Sequence, residues 1–239
     1  MSTRTAITAA LLAGAGLACP AALWAQGHSA ASDPDARSGP RPSFTGVWSP
    51  QAWSTDEWPL EPPYSEAGRA AQERWAANPD DDPSYRCIIP LGRIISAPLP
   101  FEIIEQPERI TMLYEYDHQV RRVFLDGRGH PDSYPTLMGH SIGRWEGDTL
   151  VVETANIEPG LLRPQGMPYS DKLRLTERMT LLDDGQRLRV DLSIDDPTYY
   201  TETWTVTKYY GRTNEDIKDY ECYIREHVAA DEQHTEATR

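Results

Sequence analysis

RRVFLDGRGHPDSYPTLMGHSIGRWEGDTLVVETAN, residues 121–156, is the stretch that decides the fold. It contains three strand-like runs, Arg121–Asp126, His140–Glu146 and Thr149–Asn156. Gly147-Asp148 forms a tight turn between the last two runs, because short hairpins need the unusual φ values that Gly and Asp tolerate. The first two runs are joined by the long loop 127–139, and a long connection beside a minimal hairpin often carries function. We therefore expect the functional residues around this loop.

Strand patterns dominate the rest of the folded segment as well. Leu173–Leu181 and Arg187–Asp195 alternate apolar and polar residues, which is typical of half-buried strands. Tyr64–Ala77, with Ser65 as its capping residue, is the only strong helix pattern, and the proline-rich segment Cys87–Pro100 is predicted to be extended and irregular. Further strands are predicted at Ile103–Glu105, Arg109–Tyr116, Val120–Asp126 and Thr201–Tyr210. The predicted fold is mainly β: an antiparallel up-and-down β-barrel of the lipocalin or calycin type with one short N-terminal helix.

The connections alternate between tight and long. The tight ones are Asp117–Gln119, Gly147-Asp148 and Asp183–Gln186; the long or proline-marked ones are 127–139, Ile157–Lys172 and the turn at Asp196-Pro197. In an antiparallel meander every second connection lies at the same end. The long connections should therefore surround one mouth of the barrel, where small barrels often bind ligands. Trp48, at the end of a short first strand, is expected to plug the barrel or pack on its core.

Residues 1–25 have the pattern of a secretory signal peptide, with Arg4 before an apolar run that contains no acidic residue. Pro20 interrupts this run, which argues against a membrane anchor, and Gly16 disfavours lipidation at Cys19. We predict a disordered lead-in at 26–42, a single barrel domain at 43–228 and a flexible tail at 229–239. The expected location is the periplasm or the medium outside the cell.

The net charge of −14 argues against nucleic acid and anionic membranes as partners, since both attract basic surfaces. Of the three cysteines, Cys87 and Cys222 remain after signal removal. In an exported chain such a pair predicts a disulfide, which would link the start of the domain to its end. A reactive Cys–His pair is the alternative, and the spacing does not resemble a zinc site.

Glu177 departs from its local pattern, because it lies on the apolar face of the Leu173–Leu181 strand. A carboxylate in that position is either paired with an arginine or has a raised pKa. Structural pairing is one interpretation, and a role as general acid or base is the other.

His130 and His140 are the leading candidates for proton transfer, because histidine titrates near neutral pH. Both are expected on the rim of the mouth, with Asp126 and Asp132 nearby. Together with Glu177 the two histidines would also form a two-His, one-carboxylate metal site, which we rank below metal-free acid–base chemistry. The neighbouring arginines, Arg121, Arg122 and Arg128, would form ion pairs with Asp126 or hold a carboxylate or oxyanion.

Tyr134, Tyr169 and Tyr199 are expected near the same rim, where tyrosines can line a pocket and donate protons, although tyrosine is also common in strands. The chain contains no GxSxG elbow, phosphate-binding loop, GxGxxG fingerprint or HExxH motif. Nucleotide cofactors and ordinary serine-hydrolase chemistry are therefore not expected, and we predict no cofactor.

The motifs RRVFLDGRGHP, GHSIGRWEGDTLVVETAN and YSDKLRLTER resemble those of a large family of exported bacterial proteins of mostly unassigned function. The resemblance covers roughly residues 44–222 and is carried by a DGRxHP…GHSxGxWEGDTLVVET signature. Ser170, Glu177 and Arg178 belong to its last segment, and its polar members coincide with the rim residues selected above. This resemblance adds Ser170 and Arg178 to the candidate substrate-binding residues, together with Asp126, and implies no activity.

The expected function is an exported, cofactor-independent enzyme that performs elimination, aldol-type cleavage or isomerisation on a small oxygenated, partly aromatic molecule. His140, His130 and Glu177 would transfer protons, and Arg122 or Arg128 would hold the developing negative charge. A periplasmic small-molecule binding protein with the same barrel is the alternative, and metal-assisted hydrolysis is a second alternative. The partner is a small-molecule substrate or ligand, and a homo-oligomer is compatible with the sequence.

Overall fold

The structure is a computed structural model that describes residues 41–51, 58–163, 166–220 and Cys222. All of these residues belong to one compact unit. The predicted signal peptide (1–25), most of the lead-in (26–42) and the tail (229–239) lie outside the described residues, so these boundaries stay predictions.

The described residues form two α-helices and eleven strands, with short 3₁₀ turns between some of them. The elements are β1 Gly46–Pro50, α1 Glu66–Ala77, α2 Leu91–Ser96, β2 Phe101–Gln106, β3 Arg109–Tyr114, β4 Val120–Phe124, β5 His140–Glu146, β6 Thr149–Ala155, β7 Gly160–Arg163, β8 Gly166–Tyr169, β9 Arg174–Leu182, β10 Arg187–Asp195 and β11 Trp204–Thr213. The predicted strands are all present, within a few residues of their expected bounds.

Nine of the strands in the described part of the chain close into a barrel, in the order β1-β11-β10-β9-β6-β5-β4-β3-β2. The barrel closes because the period-two pattern gives each strand one apolar face: Leu188, Val190, Leu192 and Ile194 of β10 are all buried. The remaining two strands, β7 and β8, form a separate hairpin. The predicted mainly β barrel fold is confirmed.

The predicted uninterrupted antiparallel meander is wrong at one junction, where β4 pairs with β5 in parallel through Val123–Ser141 and Phe124–Ile142. A parallel neighbour needs a long crossover, and the 125–139 connection supplies it by returning from one end of the barrel to the other. The turn Asp117–Gln119 consequently lies at the same end as the long 156–173 connection. The two remaining tight turns, Gly147-Asp148 and Asp183–Gln186, lie at the opposite end.

Helix α1 begins where the sequence predicts, because the Ser65 hydroxyl accepts a hydrogen bond from the Gly68 amide at 3.1 Å. The prediction of an irregular segment at Cys87–Pro100 is wrong in part, since this segment contains α2. Helix α2 spans only six residues, too few for a helical period to be visible in the sequence. Its residues Leu91–Ile95 are buried, and the inward-facing Lys208 of β11 donates a hydrogen bond to the Ile95 carbonyl, so α2 packs over the barrel interior.

The N-terminal segment and the cysteines behave as the sequence predicts. Trp48 is fully buried, and Phe44 packs on Trp145 with ring centroids 5.5 Å apart. The Cys87–Cys222 disulfide is confirmed, and it joins the segment before α2 to the end of the described chain. The barrel therefore has a filled core and a covalent link between sequence-distant segments.

Candidate functional site

The predicted site residues separate onto the two sides of the barrel wall. In β4 and β5 successive side chains point in opposite directions, as the geometry of a strand requires. Arg121 and Ser141 are buried inside the barrel, whereas Arg122 is exposed and His140 is partly exposed on the outside. Adjacent residues of the same signature segment thus contribute to an inner and an outer group.

The inner group is a network of buried polar side chains centred on Arg121. Its Nε donates to Ser141 Oγ at 2.9 Å, and its Nη2 donates to Thr154 Oγ1 at 2.7 Å and to the Glu177 carboxylate. Its Nη1 donates to the Tyr114 hydroxyl at 3.4 Å. These five residues lie on five adjacent strands, β3, β4, β5, β6 and β9. The network therefore cross-links the barrel around the β4–β5 junction, where the parallel register pairs only two residues of each strand.

The network determines the electrostatics of the barrel interior. Burial by itself would lower the pKa of Arg121, but the Glu177 carboxylate and the Tyr114 hydroxyl more than reverse this, so the pKa is raised and the guanidinium stays charged. Burial raises the pKa of Tyr114 to about 12, so its hydroxyl stays protonated. Glu177 is thus the ion-pair partner of a buried arginine, which is one of the two interpretations that its position in the sequence leaves open.

The interior leaves little free space beside this network. A cavity of about 20 Å³ is lined by Tyr114, Glu177 and Lys208, with apolar side chains from α2 and the barrel strands around them. This volume is on the order of a single water molecule. The space beside Glu177 is therefore too small for an organic molecule.

The outer group is built around His130 and His140, whose Nδ1 atoms are 3.0 Å apart. The rings meet edge to face, with centroids 5.2 Å apart and planes at 79°. The structure therefore brings together the two histidines that the sequence selects. The crossover 125–139 returns His130 to the start of β5, so the parallel junction is the feature that makes this contact.

His140 is held in place by its neighbours on both sides. Gly139 has a φ of +63°, and a side chain there would meet the Ala155 carbonyl at 2.7 Å, so only glycine allows the chain to enter β5 at this position. Phe124 stacks on the His140 ring with centroids 5.3 Å apart and an interplanar angle of 20°. The Arg128 guanidinium also lies over the Phe124 ring, with its Cζ 4.0 Å from the ring centre.

Both histidines titrate below their ordinary range. Burial is the main cause for His130, and His140 and Arg174 lower its pKa further. Burial and then Arg128 lower the pKa of His140, with Asp126 acting in the opposite direction. At neutral pH the pair is therefore uncharged and shares one proton between the two Nδ1 atoms.

Arg122 and Arg128 have different surroundings. Arg128 forms an exposed ion pair with Asp126, with Nε to Oδ1 at 2.8 Å, and this arginine lowers the pKa of the carboxyl group. Arg122 lies beside His140 in an open groove of about 410 Å³ on the outer wall. We call this the histidine groove; it is lined by residues 120–122, Phe124 and residues 136–140. Its volume is within the range of small-molecule sites.

His130, Asp126 and Arg128 are not among the residues that line the groove, and the other predicted residues lie elsewhere. Tyr134 is 90% exposed on the crossover, and Arg178 pairs with Glu146 at 2.7 Å on the outer face of the barrel. Tyr169 is buried in the β7–β8 hairpin, where burial raises its pKa. Tyr199 is partly buried in the β10–β11 connection, and its carbonyl accepts a hydrogen bond from the Ser65 amide at 2.9 Å.

Ser170 belongs to a buried loop contact. Its amide and hydroxyl both donate to the carboxylate of Asp196, which also accepts a hydrogen bond from the Thr198 amide at 3.0 Å. Asp196 is 1% exposed, so this carboxylate holds the 156–173 connection against the β10–β11 connection. The contact explains Ser170 as a structural residue at the end of the barrel.

Sequence reasoning missed the inner partners of Glu177. It named Arg121 only as one of three flanking arginines, and it did not select Tyr114 or Thr154. The alternation in β4 carries the missing signal, because Arg121 shares the inward face of that strand with Val123. An arginine and a glutamate at inward positions of two strands predict a buried pair once both strands are assigned to one barrel.

The third ligand proposed for a metal site, Glu177, is bonded to Arg121 inside the barrel, whereas the two histidines lie outside. In the part of the chain that the structure describes, no cluster of three or more His, Cys, Asp or Glu side chains is arranged to hold a metal ion. Within the same residues, no helix has the length and apolar character needed to cross a bilayer.

No protein-family model and no curated protein matches the sequence. Solved structures do match, and one of them is titled "REP1-NXSQ fatty acid transporter". It is 11% identical, the match covers 72% of this chain and 97% of that one, and the TM-score is 0.35. A similarity of this size says nothing about ligand or activity.

Proposed function

We propose that this protein is an exported, cofactor-independent acid–base enzyme of the lyase or isomerase type, acting on a small oxygenated, partly aromatic molecule in the histidine groove. The observation that carries the proposal is the 3.0 Å contact between the Nδ1 atoms of His130 and His140. The groove beside His140 supplies the space, with Arg122 and Phe124 in its wall.

The Nδ1–Nδ1 hydrogen bond gives the two rings complementary roles. One ring donates from Nδ1, so its Nε2 carries a free lone pair; the other accepts at Nδ1, so its Nε2 carries a hydrogen. An uncharged pair therefore presents a base and an acid at the same time, whichever ring is the donor. Elimination, aldol cleavage and isomerisation each need one proton removed and one delivered.

The proton path balances without a cofactor. The basic Nε2 takes a proton from the substrate, the Nδ1 proton passes across the 3.0 Å contact, and the second Nε2 gives its proton to the departing or rearranging oxygen. In an elimination the C–H and C–O bonds break and a C=C bond forms. At the end of the reaction each ring is in the tautomer that its partner had at the start. Proton exchange between the two Nε2 atoms and water restores the starting arrangement.

Arg122 is the group that would hold negative charge on the substrate oxygen. It is exposed on the wall of the histidine groove, and a guanidinium binds carboxylate and enolate oxygens through two parallel N–H donors. Phe124 positions the pair by stacking on His140, and Arg128 lies over the Phe124 ring. Glu177 has an indirect, positioning role. It binds Arg121, and Arg121 donates a hydrogen bond to Ser141, the residue after His140.

The test is turnover of a panel of small hydroxylated and aromatic compounds, followed by mass spectrometry of the medium. We expect His140→Asn and His130→Asn each to lower kcat at least a hundredfold on the compound that is consumed, because single proton-transfer groups contribute about 10²–10⁴-fold. Arg122→Gln should mainly raise KM. His118→Asn is the matched control, since His118 is exposed on the β3–β4 turn and outside the groove.

Two outcomes contradict the proposal. Histidine variants that fold normally and turn over the compound at the parent rate exclude the pair as catalyst. A compound that is retained unchanged by the parent, with its binding lost in Arg122→Gln, identifies a binding protein instead. The rate should also rise as the pH is raised through the lowered pKa of the pair, because a single added proton occupies the only free Nε2 lone pair.

Export and family membership complete the proposal. The Cys87–Cys222 disulfide supports an oxidising compartment, periplasmic or extracellular, and the signature segment supports membership of the family of exported bacterial proteins that it resembles. The proposed ligand is a small molecule. Self-association into a homo-oligomer is a separate question, which sedimentation of the mature protein tests.

A further inference from the structure

A second site-like feature lies at the end of the barrel, between α2 and the C-terminal segment. It is a pocket of about 390 Å³, and its walls include Arg93, Arg163, Tyr116, Tyr220, Pro98 and Leu99. We call it the arginine pocket. It shares no lining residue with the histidine groove.

Arg93 is the buried cation of this pocket. Its side chain is 8% exposed, and its Nη2 donates to Asp82 Oδ2 at 3.0 Å and to Ser84 Oγ at 3.2 Å. Its Nη1 is buried and makes no hydrogen bond of good geometry within the described residues, although the guanidinium lies within reach of the Tyr116 hydroxyl. A buried N–H group without a partner is unfavourable, so a small movement of this guanidinium that brings Nη1 to an acceptor in the pocket would be stabilising.

Arg163, at the end of β7, adds a second guanidinium to the same wall. Its Cζ lies 5.6 Å from the centre of the Trp58 ring, and within the described residues no carboxylate pairs with it. Asp82 neutralises one of the two arginines, so the pocket has an excess of one positive charge. This excess lies in a chain whose net charge is −14, so positive charge is concentrated here against the overall balance.

The rest of the lining is largely aromatic and apolar. Tyr116 and Tyr220 meet edge to face with ring centroids 5.4 Å apart, and Pro98 and Leu99 lie beside them. The segment that carries Tyr220 is fixed on both sides: the Lys218 amide donates to Glu115 Oε2 at 2.9 Å, and Cys222 is in the disulfide. The wall is therefore preformed, which lowers the entropy cost of binding.

From the two arginines that line the pocket, one of them with a buried Nη1 that lacks a well-aligned acceptor, and from the tethered tyrosine wall, we infer that the arginine pocket binds a small organic carboxylate with an aromatic or apolar body. The carboxylate would accept from Arg93 and Arg163, since planar guanidinium groups bind carboxylates through paired N–H donors. The body of the ligand would lie against Tyr116 and Tyr220. The site is independent of the proposed acid–base chemistry, because no residue is common to both.

The experiment uses the disulfide-intact mature protein and calorimetric titration with benzoate, with benzyl alcohol as its uncharged isostere and inorganic phosphate as an anion without an apolar body. Benzoate should bind at least tenfold more tightly than either. Arg163→Gln should weaken benzoate binding at least tenfold. Arg69→Gln is the matched control, since Arg69 also lies over an aromatic ring, that of Tyr64 at 5.9 Å, but outside the pocket.

Tyr220→Ala provides a second variant that leaves both arginines in place, and it should weaken benzoate binding without affecting phosphate. Equal binding of benzoate and benzyl alcohol, or parent-like benzoate affinity in Arg163→Gln, overturns the proposal. Binding of phosphate in preference to benzoate also overturns it, because a carboxylate with an apolar body would then not be the ligand. Turnover in the histidine groove is measured separately, so failure of one proposal leaves the other intact.

Discussion

Glu177→Gln should destabilise the protein strongly, because it removes the charge that balances a buried guanidinium. The side chains of Arg121 and Glu177 are 1% and 6% exposed, so bulk solvent does not reach the guanidinium to replace the lost charge. Breaking a buried ion pair from one side costs about 3–5 kcal/mol. Glutamine keeps one carbonyl oxygen as an acceptor for Arg121, so we expect a loss near the lower limit, about 3 kcal/mol. For a domain of this size that loss corresponds to a fall in Tm of about 6–12 °C.

The assay is equilibrium urea unfolding with the disulfide intact, followed by far-ultraviolet circular dichroism. Glu146→Gln is the matched control: it removes the charge of a glutamate whose ion pair with Arg178 is 40–45% exposed, and such pairs contribute about 0–1 kcal/mol. The double variant Arg121→Met/Glu177→Leu should recover most of the loss, since replacing a whole buried pair by apolar residues is often neutral. Ser141 and Thr154 would remain bonded to each other at 2.9 Å.

Two results would refute this account of the network. The first is a Glu177→Gln variant that stays within about 1 kcal/mol of the parent, which would place the pair in the same class as exposed ion pairs. The second is a double variant as unstable as the single one. In that case the loss would come from altered packing of the barrel interior, not from an unbalanced charge on Arg121.

Four further predictions concern the rest of the structure. Removing the disulfide by Cys87→Ala/Cys222→Ala should lower the free energy of unfolding by about 2–5 kcal/mol, because the bond closes a long loop with a sequence separation of 135; an unchanged urea midpoint would contradict this. In NMR titrations His130 should titrate below its unfolded value of about 6.5, and His140→Asn should raise its pKa towards that value. The pKa values of both histidines are lower in the folded state, so the unfolded chain takes up protons more readily as the pH falls. The contribution of the pair to the free energy of unfolding is therefore present above about pH 6.5 and is lost as the pH falls below that value. A free energy of unfolding that rises on acidification in this range would contradict the prediction. Asp196→Ala should cost about 1–3 kcal/mol for each buried donor left without an acceptor, with Asp196→Asn costing less, as measured by urea unfolding.

The sequence was sufficient to predict the strands and the barrel class, because both follow from local rules. The alternation in Leu173–Leu181 and Arg187–Asp195 specifies which face is buried, and the Gly147-Asp148 turn specifies one hairpin without reference to the rest of the chain. The capping residue Ser65 likewise locates the start of α1. Helix α2 could not be predicted from the sequence, because its six residues are too few to show an apolar period and it is stabilised by contacts with the barrel.

Among the candidate residues, the sequence singled out the two histidines but not their relation to Glu177. Nothing in the spacing of ten residues between His130 and His140 requires their Nδ1 atoms to meet. Their contact depends on the parallel pairing of β4 with β5, which returns the crossover along the barrel. An antiparallel pairing would have left the long loop at one end and would have reversed the direction of β5 relative to β4.

The sequence by itself determined the barrel class, the disulfide partners and the presence of a carboxylate on an apolar face, because each depends on residue type and local period. Only the tertiary structure decided that Arg121 and Glu177 face each other inside the wall while His130 and His140 meet outside it. The physical reason is that strand pairing is long-range: a shift or reversal of one strand moves every side chain to a different neighbour without changing its local pattern. Which groups share a site is therefore a property of the closed barrel, not of any one of its strands.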